Sequence, residues 1–208
     1  MSCRLRGLET FCTDLLLDPV ASERLADVIF DYKWAYWEQL LDVFGREQLV
    51  VAEADDFGSD SSLLISPELV RTIYLPRWRK LFDLIKNKNP DAKIFFHSCG
   101  AIRPIIADLI ACGVDILNPV QYTASGMQLE NLKRDFGTDL VFWGGGIDTK
   151  RILPFGTPGE VRDEVRRVID IMAPGGGFVF AAVHNIQADV PVANLEALLL
   201  ALEEYGVY

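Results

Sequence analysis

The chain of 208 residues contains only two histidines, and each follows a short apolar segment typical of a buried β-strand. His97 ends the segment 93–97, and His184 follows the segment 177–183. In parallel α/β folds the carboxyl ends of the strands lie at one edge, where active sites form. A single histidine is more often structural than functional, but two at the same edge favour a shared site.

Cys99 lies two residues after His97, and residues two apart in an extended segment point to the same side. Zinc binds imidazole nitrogen at about 2.0–2.1 Å and thiolate sulfur at about 2.3 Å. Together with His184, these residues supply three protein ligands and leave a fourth position open, as in catalytic zinc sites. We therefore predict a catalytic metal site formed by His97, Cys99 and His184.

Acidic residues gather at the end of the first predicted strand, in the sequence Glu53-Ala54-Asp55-Asp56. Glu53 and Asp55 share one side by the same two-residue period. A carboxylate at this position orients a metal-bound histidine, completes the metal site or holds a substrate. The alternative is that all three are solvated loop acids or helix caps. Glu53, Asp55 and Asp56 are the candidate catalytic carboxylates.

Strand-like segments alternate with segments of helical periodicity over most of the chain. The predicted strands are 48–53, 93–97, 114–117, 140–143 and 177–183. The helices that follow them are predicted at 67–87, 101–112, 126–136, 158–172 and 192–205. Five consecutive βα units indicate a parallel sheet with right-handed crossovers.

Two amphipathic helices, 5–17 and 20–44, precede the first strand. This order predicts an α/β fold, a (βα)₈ TIM barrel of which roughly the last five βα units and two preceding helices are present. We expect a single domain over 1–208 that is incomplete at the N-terminus. The alternative is a doubly wound open sheet. That fold normally begins with a strand, and no G-x-G-x-x-G follows the first strand here.

The composition excludes several classes of partner. Twenty basic and thirty acidic residues give a net charge of −10, which repels nucleic acid. The four cysteines form no C-x-x-C pair, which indicates a reducing compartment, and Cys112 lies in an apolar helix and is expected in the core. No signal peptide or apolar run of membrane-spanning length is apparent. We expect a cytoplasmic protein.

Four motifs in order resemble the uroporphyrinogen decarboxylase superfamily, and the resemblance extends from about residue 5 onward. They are His97-Ser98-Cys99-Gly100, the segment 115–121 (DILNPVQ), the segment 142–148 (FWGGGID) and the segment 183–191 (VHNIQADVP). Members are (βα)₈ barrels, so the resemblance implies that the five βα units are the fourth to eighth of eight.

The zinc- and corrinoid-dependent methyltransferases are the branch that the motifs resemble most. In that branch a His-x-Cys pair and a distant cysteine bind zinc, which activates a thiol. His97 and Cys99 match the pair, and His184 occupies the distant position. The resemblance thus implies zinc and a corrinoid, methylcobalamin, carried by a partner protein. True decarboxylases instead place a catalytic aspartate and arginines in the front of the barrel and Asp-Trp at the position of Asn118-Pro119.

These observations predict a metal-assisted methyltransferase that moves a methyl group between a corrinoid and a thiol or methoxylated small molecule. Asn118, Gln121, Trp143 and Gly145 are expected to line the substrate pocket, where the glycines allow close approach to the backbone. One alternative is uroporphyrinogen decarboxylase, an enzyme of porphyrin biosynthesis. Another is a non-catalytic barrel fragment. A second copy or a partner chain is expected to complete the barrel.

Overall fold

A five-stranded parallel sheet forms the centre of the molecule, whose computed structural model describes residues 2–45, 47 and 49–206. The strands are β1 (Val50–Ala54), β2 (Lys93–His97), β3 (Ile116–Asn118), β4 (Val141–Trp143) and β5 (Phe178–Val179). They pair in sequence order, which confirms the predicted α/β class. Over the described ranges, β1 pairs only with β2 and β5 only with β4. The sheet is therefore an open arc.

Helical segments precede the sheet and connect all its strands. Those before β1 are α1 (Ser2–Arg6), α2 (Leu8–Leu17) and α3 (Pro19–Phe44). Those after it are α4 (Pro67–Leu69), a π-helical turn (Val70–Tyr74), α5 (Leu75–Lys88), α6 (Arg103–Cys112), α7 (Leu129–Phe136), α8 (Ile152–Phe155), α9 (Pro158–Met172) and α10 (Val192–Tyr205). Within the described residues, we find no helix with the length and apolar character needed to cross a membrane.

Alternate residues of each strand face opposite sides of the sheet, and this alternation decides on which side the candidate site residues lie. Phe96 of β2 is fully buried against α5, with its ring 5.2 Å from that of Trp78. Phe95 points the other way and contacts Trp143 of β4 edge to face at 5.6 Å. His97 follows Phe95 by two residues and so lies on the same side. We call this side, which carries Phe95, His97 and Trp143, the inner face.

Pro76 breaks the single helix predicted over 67–87. A proline inside a helix lacks an N–H and clashes with the carbonyl four residues earlier. The chain accommodates it through the π-helical turn, in which the Leu75 amide donates to the Val70 carbonyl. The helix predicted over 5–17 is likewise divided, because Gly7 adopts φ 88° between α1 and α2.

The predicted strand 177–183 is wrong in its length, since regular pairing ends at Val179. The neighbouring β4 continues into Gly144 and Gly145, which have φ values of 130° and 70° that a regular strand excludes. Only an isolated bridge between Ile147 and Ala182 follows among the described residues. The prediction 93–97 agrees with β2 at both ends, and the other three strand predictions shift by one or two residues. Position 48 of the predicted strand 48–53 lies outside the described residues.

The expected capping box before α9 is present. The Thr157 hydroxyl accepts a bond from the Glu160 amide at 3.3 Å, while the Glu160 carboxylate accepts from the Thr157 amide at 2.7 Å. Both bonds satisfy amides that the first turn of a helix leaves without partners. The Thr157 amide and then the Thr157 hydroxyl donate bonds to the Glu160 carboxylate, and these two bonds lower the pKa of Glu160.

Replacing Thr157 by alanine removes half of this box, and we expect it to lower the free energy of unfolding by about 0.5–2 kcal/mol. Urea denaturation measures the loss. Thr138→Ala is the matched control, because the hydroxyl of Thr138 bonds to the exposed Asp139 side chain and caps no helix among the described residues. Equal stability of the two variants would contradict the role of the box.

Candidate metal centre

Asp56, His97 and Cys99 meet at the carboxyl end of β1 and β2. Their ligand atoms all lie within 4.8 Å of one another. The Cys99 Sγ is 3.4 Å from His97 Nε2, and that nitrogen is 3.6 Å from Asp56 Oδ1. The register of β1 and β2 explains why these residues lie close together, because Ala54 pairs with His97 and both strands end at this pair. Asp56 and Cys99 each follow two residues later, in adjacent loops.

Hydrogen bonds join these two loops directly. The Cys99 amide donates to Asp56 Oδ1 at 3.0 Å, and the Asp55 amide donates to the His97 carbonyl at 3.1 Å. Ser98, which is almost fully buried, accepts a bond from the Phe57 amide at 3.1 Å through its hydroxyl. The loop positions are therefore fixed by backbone groups as well as by the candidate ligands.

Two glycines permit this approach, and the sequence interpretation did not identify their role. A Cβ on Gly58 would lie 2.6 Å from the Cys99 carbonyl oxygen, and one on Gly100 would lie 2.5 Å from the Gly58 carbonyl carbon. Gly100 also has φ 86°, which side chains rarely adopt. In the sequence, the position of Gly100 directly after the candidate ligand Cys99 could have indicated this role. Any side chain at either position would push the two loops apart.

Asn118 of β3 contacts the side of the His97 ring that faces away from Cys99. Its Oδ1 lies 2.6 Å from His97 Nδ1, and its Nδ2 donates to the Trp143 carbonyl at 2.7 Å. Both polar atoms of this predicted pocket residue therefore have partners within the protein.

Gln121, a second predicted pocket residue, is buried and also bonds to other parts of the protein. The Gly100 amide donates to its Oε1 at 3.0 Å, and its Nε2 donates to Asp60 at 2.6 Å. Lys150 Nζ lies 2.7 Å from the same carboxylate. Bonds from Lys150 and then from Gln121 lower the pKa of Asp60. The network links the loops that follow β1, β2, β3 and β4.

Trp143 and Gly145 were also predicted to line the pocket. The Trp143 ring is half-buried on the inner face, next to Phe95. Gly145 is buried, and a Cβ there would lie 3.1 Å from the Val120 carbonyl oxygen. The missing side chain at Gly145 therefore lets the loop after β4 pack against the loop after β3.

The other two candidate carboxylates lie outside the cluster. Glu53 is buried, accepts a bond from Trp37 Nε1 at 2.5 Å and pairs with Lys33, so it connects β1 to α3. Asp55 is half-buried. Burial raises the pKa of Asp55, and the positive charge of Lys33 opposes that shift.

His184 does not join the candidate ligands. It follows the bridge at Ala182, and its side chain is exposed. Across the described ranges, the group of possible metal ligands consists of Asp56, His97 and Cys99. The prediction of His184 assumed a regular strand up to residue 183, but pairing becomes irregular after Val179. Asp56, and not His184, lies beside His97 and Cys99.

A cavity of about 450 Å³ opens beside the cluster. His97 and Asp56 contribute to one wall, together with Ala52, Ala54 and Phe95 of the inner face; α1 and α2 contribute Ser2, Cys3, Arg4, Leu8, Phe11 and Cys12. Phe11 and Leu15 anchor α2 against α3 and the π-helical turn. The cavity therefore offers a mixed apolar and polar space for a small molecule next to the candidate ligands.

The donor set suits a borderline-soft divalent cation. Imidazole nitrogen, thiolate sulfur and carboxylate oxygen are all zinc ligands. Burial, reinforced by the Asp56 carboxylate, raises the pKa of the Cys99 thiol to about 11. Without a cation the thiol is therefore protonated at neutral pH, and a cation must displace that proton to bind sulfur.

Comparison with known proteins places this arrangement in a family. The family model for uroporphyrinogen decarboxylase (URO-D) matches residues 2–205. A uroporphyrinogen decarboxylase of Pseudoalteromonas atlantica is 24% identical over 193 residues, which are 91% of this chain but 50% of that protein. The chain thus spans about half the length of this relative.

Among solved structures, a methyltransferase from Methanosarcina mazei superposes with a TM-score of 0.74 at 21% identity, over 99% of this chain and 56% of that one. This likeness confirms the partial TIM-barrel fold. Since the family match covers nearly the whole sequence, the chain belongs to the uroporphyrinogen decarboxylase (URO-D) family.

Proposed function

We propose that the protein is a metal-assisted methyltransferase of the URO-D family. The observation that carries the proposal is the convergence of Asp56, His97 and Cys99, with ligand atoms within 4.8 Å of one another, at the edge of the sheet where parallel barrels form active sites. The likeness of the fold to a methyltransferase agrees with this choice of branch. Its metal is zinc.

The charge of the donor set favours a thiol as methyl acceptor. A Cys99 thiolate and an Asp56 carboxylate carry two negative charges, which balance Zn²⁺, whereas the set predicted from sequence would leave one positive charge. A zinc ion held there acts as a Lewis acid that lowers the pKa of a bound thiol. With Asp56, His97 and Cys99 as ligands the zinc site is neutral, so it withdraws less electron density from a bound substrate thiolate than a site of charge +1. The substrate thiolate is therefore the better nucleophile.

The residues of the chain have distinct tasks in this proposal. His97 supplies nitrogen, Cys99 supplies sulfur and Asp56 supplies oxygen. The cavity beside them holds the small molecule, a thiol or a methoxylated compound. The methyl group passes either from methylcobalamin to the thiol or from the methoxylated compound to the methyl-free corrinoid, which becomes methylcobalamin. In both directions the corrinoid is on a partner protein that approaches the open side of the cavity. We place this chemistry in the cytoplasm.

Uroporphyrinogen decarboxylation is the second candidate, and the relative from Pseudoalteromonas atlantica favours it. Its substrate is a tetrapyrrole with many carboxylates, which calls for cationic groups. Among the described residues that line the cavity, the cations are Arg4 and Lys33, and Lys33 already pairs with Glu53. Three acids, Glu53, Asp55 and Asp56, share the same cavity. This excess of acidic over cationic groups in the cavity favours the methyltransferase over the decarboxylase.

Ligand replacement tests the metal centre. Asp56→Asn and Cys99→Ser should each weaken zinc binding by on the order of 100-fold or more, since even an outer partner of a ligand contributes about 10–100-fold. His184→Gln should leave the affinity unchanged, because the His184 side chain is exposed and is not part of the cluster of Asp56, His97 and Cys99. Competition with a chromophoric chelator measures the dissociation constants.

Cys112→Ser is the matched thiol control for Cys99→Ser. Cys112 is buried in the core, so its replacement should lower the unfolding temperature and leave zinc binding intact. A Cys99→Ser protein that retains zinc with full affinity would exclude the proposed centre. Loss of zinc in His184→Gln alone would restore the ligand set predicted from the sequence.

Zinc affinity should rise with pH because binding displaces the Cys99 proton. With a thiol pKa of about 11, the affinity should increase about tenfold per pH unit between pH 7.5 and 9, where ordinary imidazoles are already neutral. In Cys99→Ser this slope should disappear, while in His184→Gln it should persist. A pH-independent affinity of the unaltered protein would show that Cys99 is not a ligand.

We further propose that a partner chain or a second copy covers the open sides of the arc. β1 and β5 are edge strands, which offer backbone groups for pairing. On α3 the exposed residues Val28, Tyr32, Tyr36 and Val43 form an apolar stripe, and α10 exposes Leu199 and Leu200. Such apolar surfaces mark association sites. A non-catalytic role, as a fragment that serves only within an assembly, is the alternative.

Sedimentation velocity over a range of concentrations tests this association. The protein should form dimers or larger species as concentration rises, and Tyr32→Glu with Tyr36→Glu should shift it towards monomer. The matched control is Glu38→Gln on the same helix. A monomer at all concentrations would contradict self-association, and zinc binding by that monomer would contradict the fragment alternative.

A further inference from the structure

The orientation of the Asn118 amide follows from its neighbours. One end faces the Trp143 carbonyl oxygen at 2.7 Å, and a carbonyl can only accept a hydrogen bond. The atom that faces it must therefore be the amide nitrogen. The amide oxygen then faces His97 Nδ1 at 2.6 Å, and it too can only accept. His97 must therefore carry a proton on Nδ1.

This proton decides which nitrogen of His97 is available to a ligand. In a neutral imidazole one nitrogen carries the proton and the other carries a lone pair. With Nδ1 protonated, the lone pair lies on Nε2, the atom that faces Cys99 Sγ at 3.4 Å and Asp56 Oδ1 at 3.6 Å. The same bond holds the half-buried ring in one orientation.

The sheet holds this arrangement in place. His97 and Asn118 are register partners on β2 and β3, so their side chains lie side by side on the inner face. The Ser98 amide also donates to the Asn118 carbonyl at 2.9 Å, which fixes the backbone of both strands. The third member, the Trp143 carbonyl, belongs to the last residue of β4. The chain of bonds therefore crosses three strands and ends at a backbone group.

We propose that Asn118 is a positioning residue that fixes the tautomer and orientation of His97, so that Nε2 points to the site of a divalent cation of the zinc class. It acts through His97 and does not contact substrate, in contrast to the pocket role predicted from the sequence. The metal-binding part of this inference rests on the proposed function, whereas the tautomer can be measured in the metal-free protein.

Nitrogen-15 NMR of histidine-labelled, metal-free protein at pH 8 is the first test. The two histidines give a simple spectrum, and exposed His184 serves as the internal reference. In the unaltered protein His97 should show its proton on Nδ1. Asn118→Leu, which removes the acceptor at similar volume, should abolish this preference, and Asn118→Asp, which keeps an acceptor, should retain it. A proton on Nε2 of His97 in the unaltered protein would overturn the proposal.

Zinc affinity is the second readout. Asn118→Leu should weaken zinc binding by about 10–100-fold, as for other outer partners of ligating histidines, and Asn118→Asp should recover most of that loss. Asn194→Leu is the control for a purely structural loss, because the Asn194 amide is buried and donates to the Leu153 and Gly156 carbonyls, beside the apolar core between α8, α9 and α10. It should lower the unfolding temperature and leave zinc affinity unchanged.

The two readouts separate the two ideas. If the unaltered protein binds no zinc but shows the Nδ1 proton, which Asn118→Leu abolishes, the metal proposal fails and the positioning role of Asn118 stands. If it binds zinc and Asn118→Leu binds equally tightly with the same tautomer, the positioning role fails and the metal centre stands.

Discussion

The parallel register of β1 and β2 sets the geometry of the whole site. Because Ala54 pairs with His97, both strands end at the same level and their loops leave side by side. Gly58 and Gly100 then allow the two backbones to touch, at distances that would exclude any Cβ. The cluster is a consequence of this contact, since His97 ends β2, Cys99 lies in the loop after β2, and Asp56 lies in the loop after β1.

Polar side chains around the cluster mostly hold backbone in place. Ser98 receives the Phe57 amide, Gln121 receives the Gly100 amide, and Asn118 joins His97 to the Trp143 carbonyl. Buried polar groups need such partners because desolvation without a hydrogen bond costs about 1–3 kcal/mol. These bonds fix the loops at the carboxyl end of the sheet, and the fixed loops keep the three candidate ligand atoms close together.

The helices before β1 contribute to the site through a different interaction. The buried Glu53 carboxylate bonds to Trp37 and pairs with Lys33, and the Lys33 ammonium lies 4.4 Å from the centre of the Trp78 ring. These contacts hold α3 against the sheet, and Phe11 and Leu15 hold α2 against α3. The two short leading helices thereby close one wall of the cavity. Glu53, a candidate catalytic acid in the sequence, therefore lines the cavity and also connects α3 to the sheet.

The sequence by itself determined the α/β class, the order of the elements, the family, the capping of α9 and the pair of His97 with Cys99. The class and the order of the elements follow from local periodicity, and the family follows from the four motifs. The cap follows from the spacing of Thr157 and Glu160, and the pair follows from the two-residue spacing of His97 and Cys99. Only the tertiary structure shows that Asp56 and not His184 lies beside His97 and Cys99, that Glu53 contacts Trp37 and Lys33, and that Asn118 and Gln121 bond to the protein. Each of these depends on contacts between different strands and loops, and on a fifth strand whose regular pairing ends before His184. Two-residue alternation predicts the side of a strand that a residue faces, but it cannot predict side-chain partners once regular pairing stops.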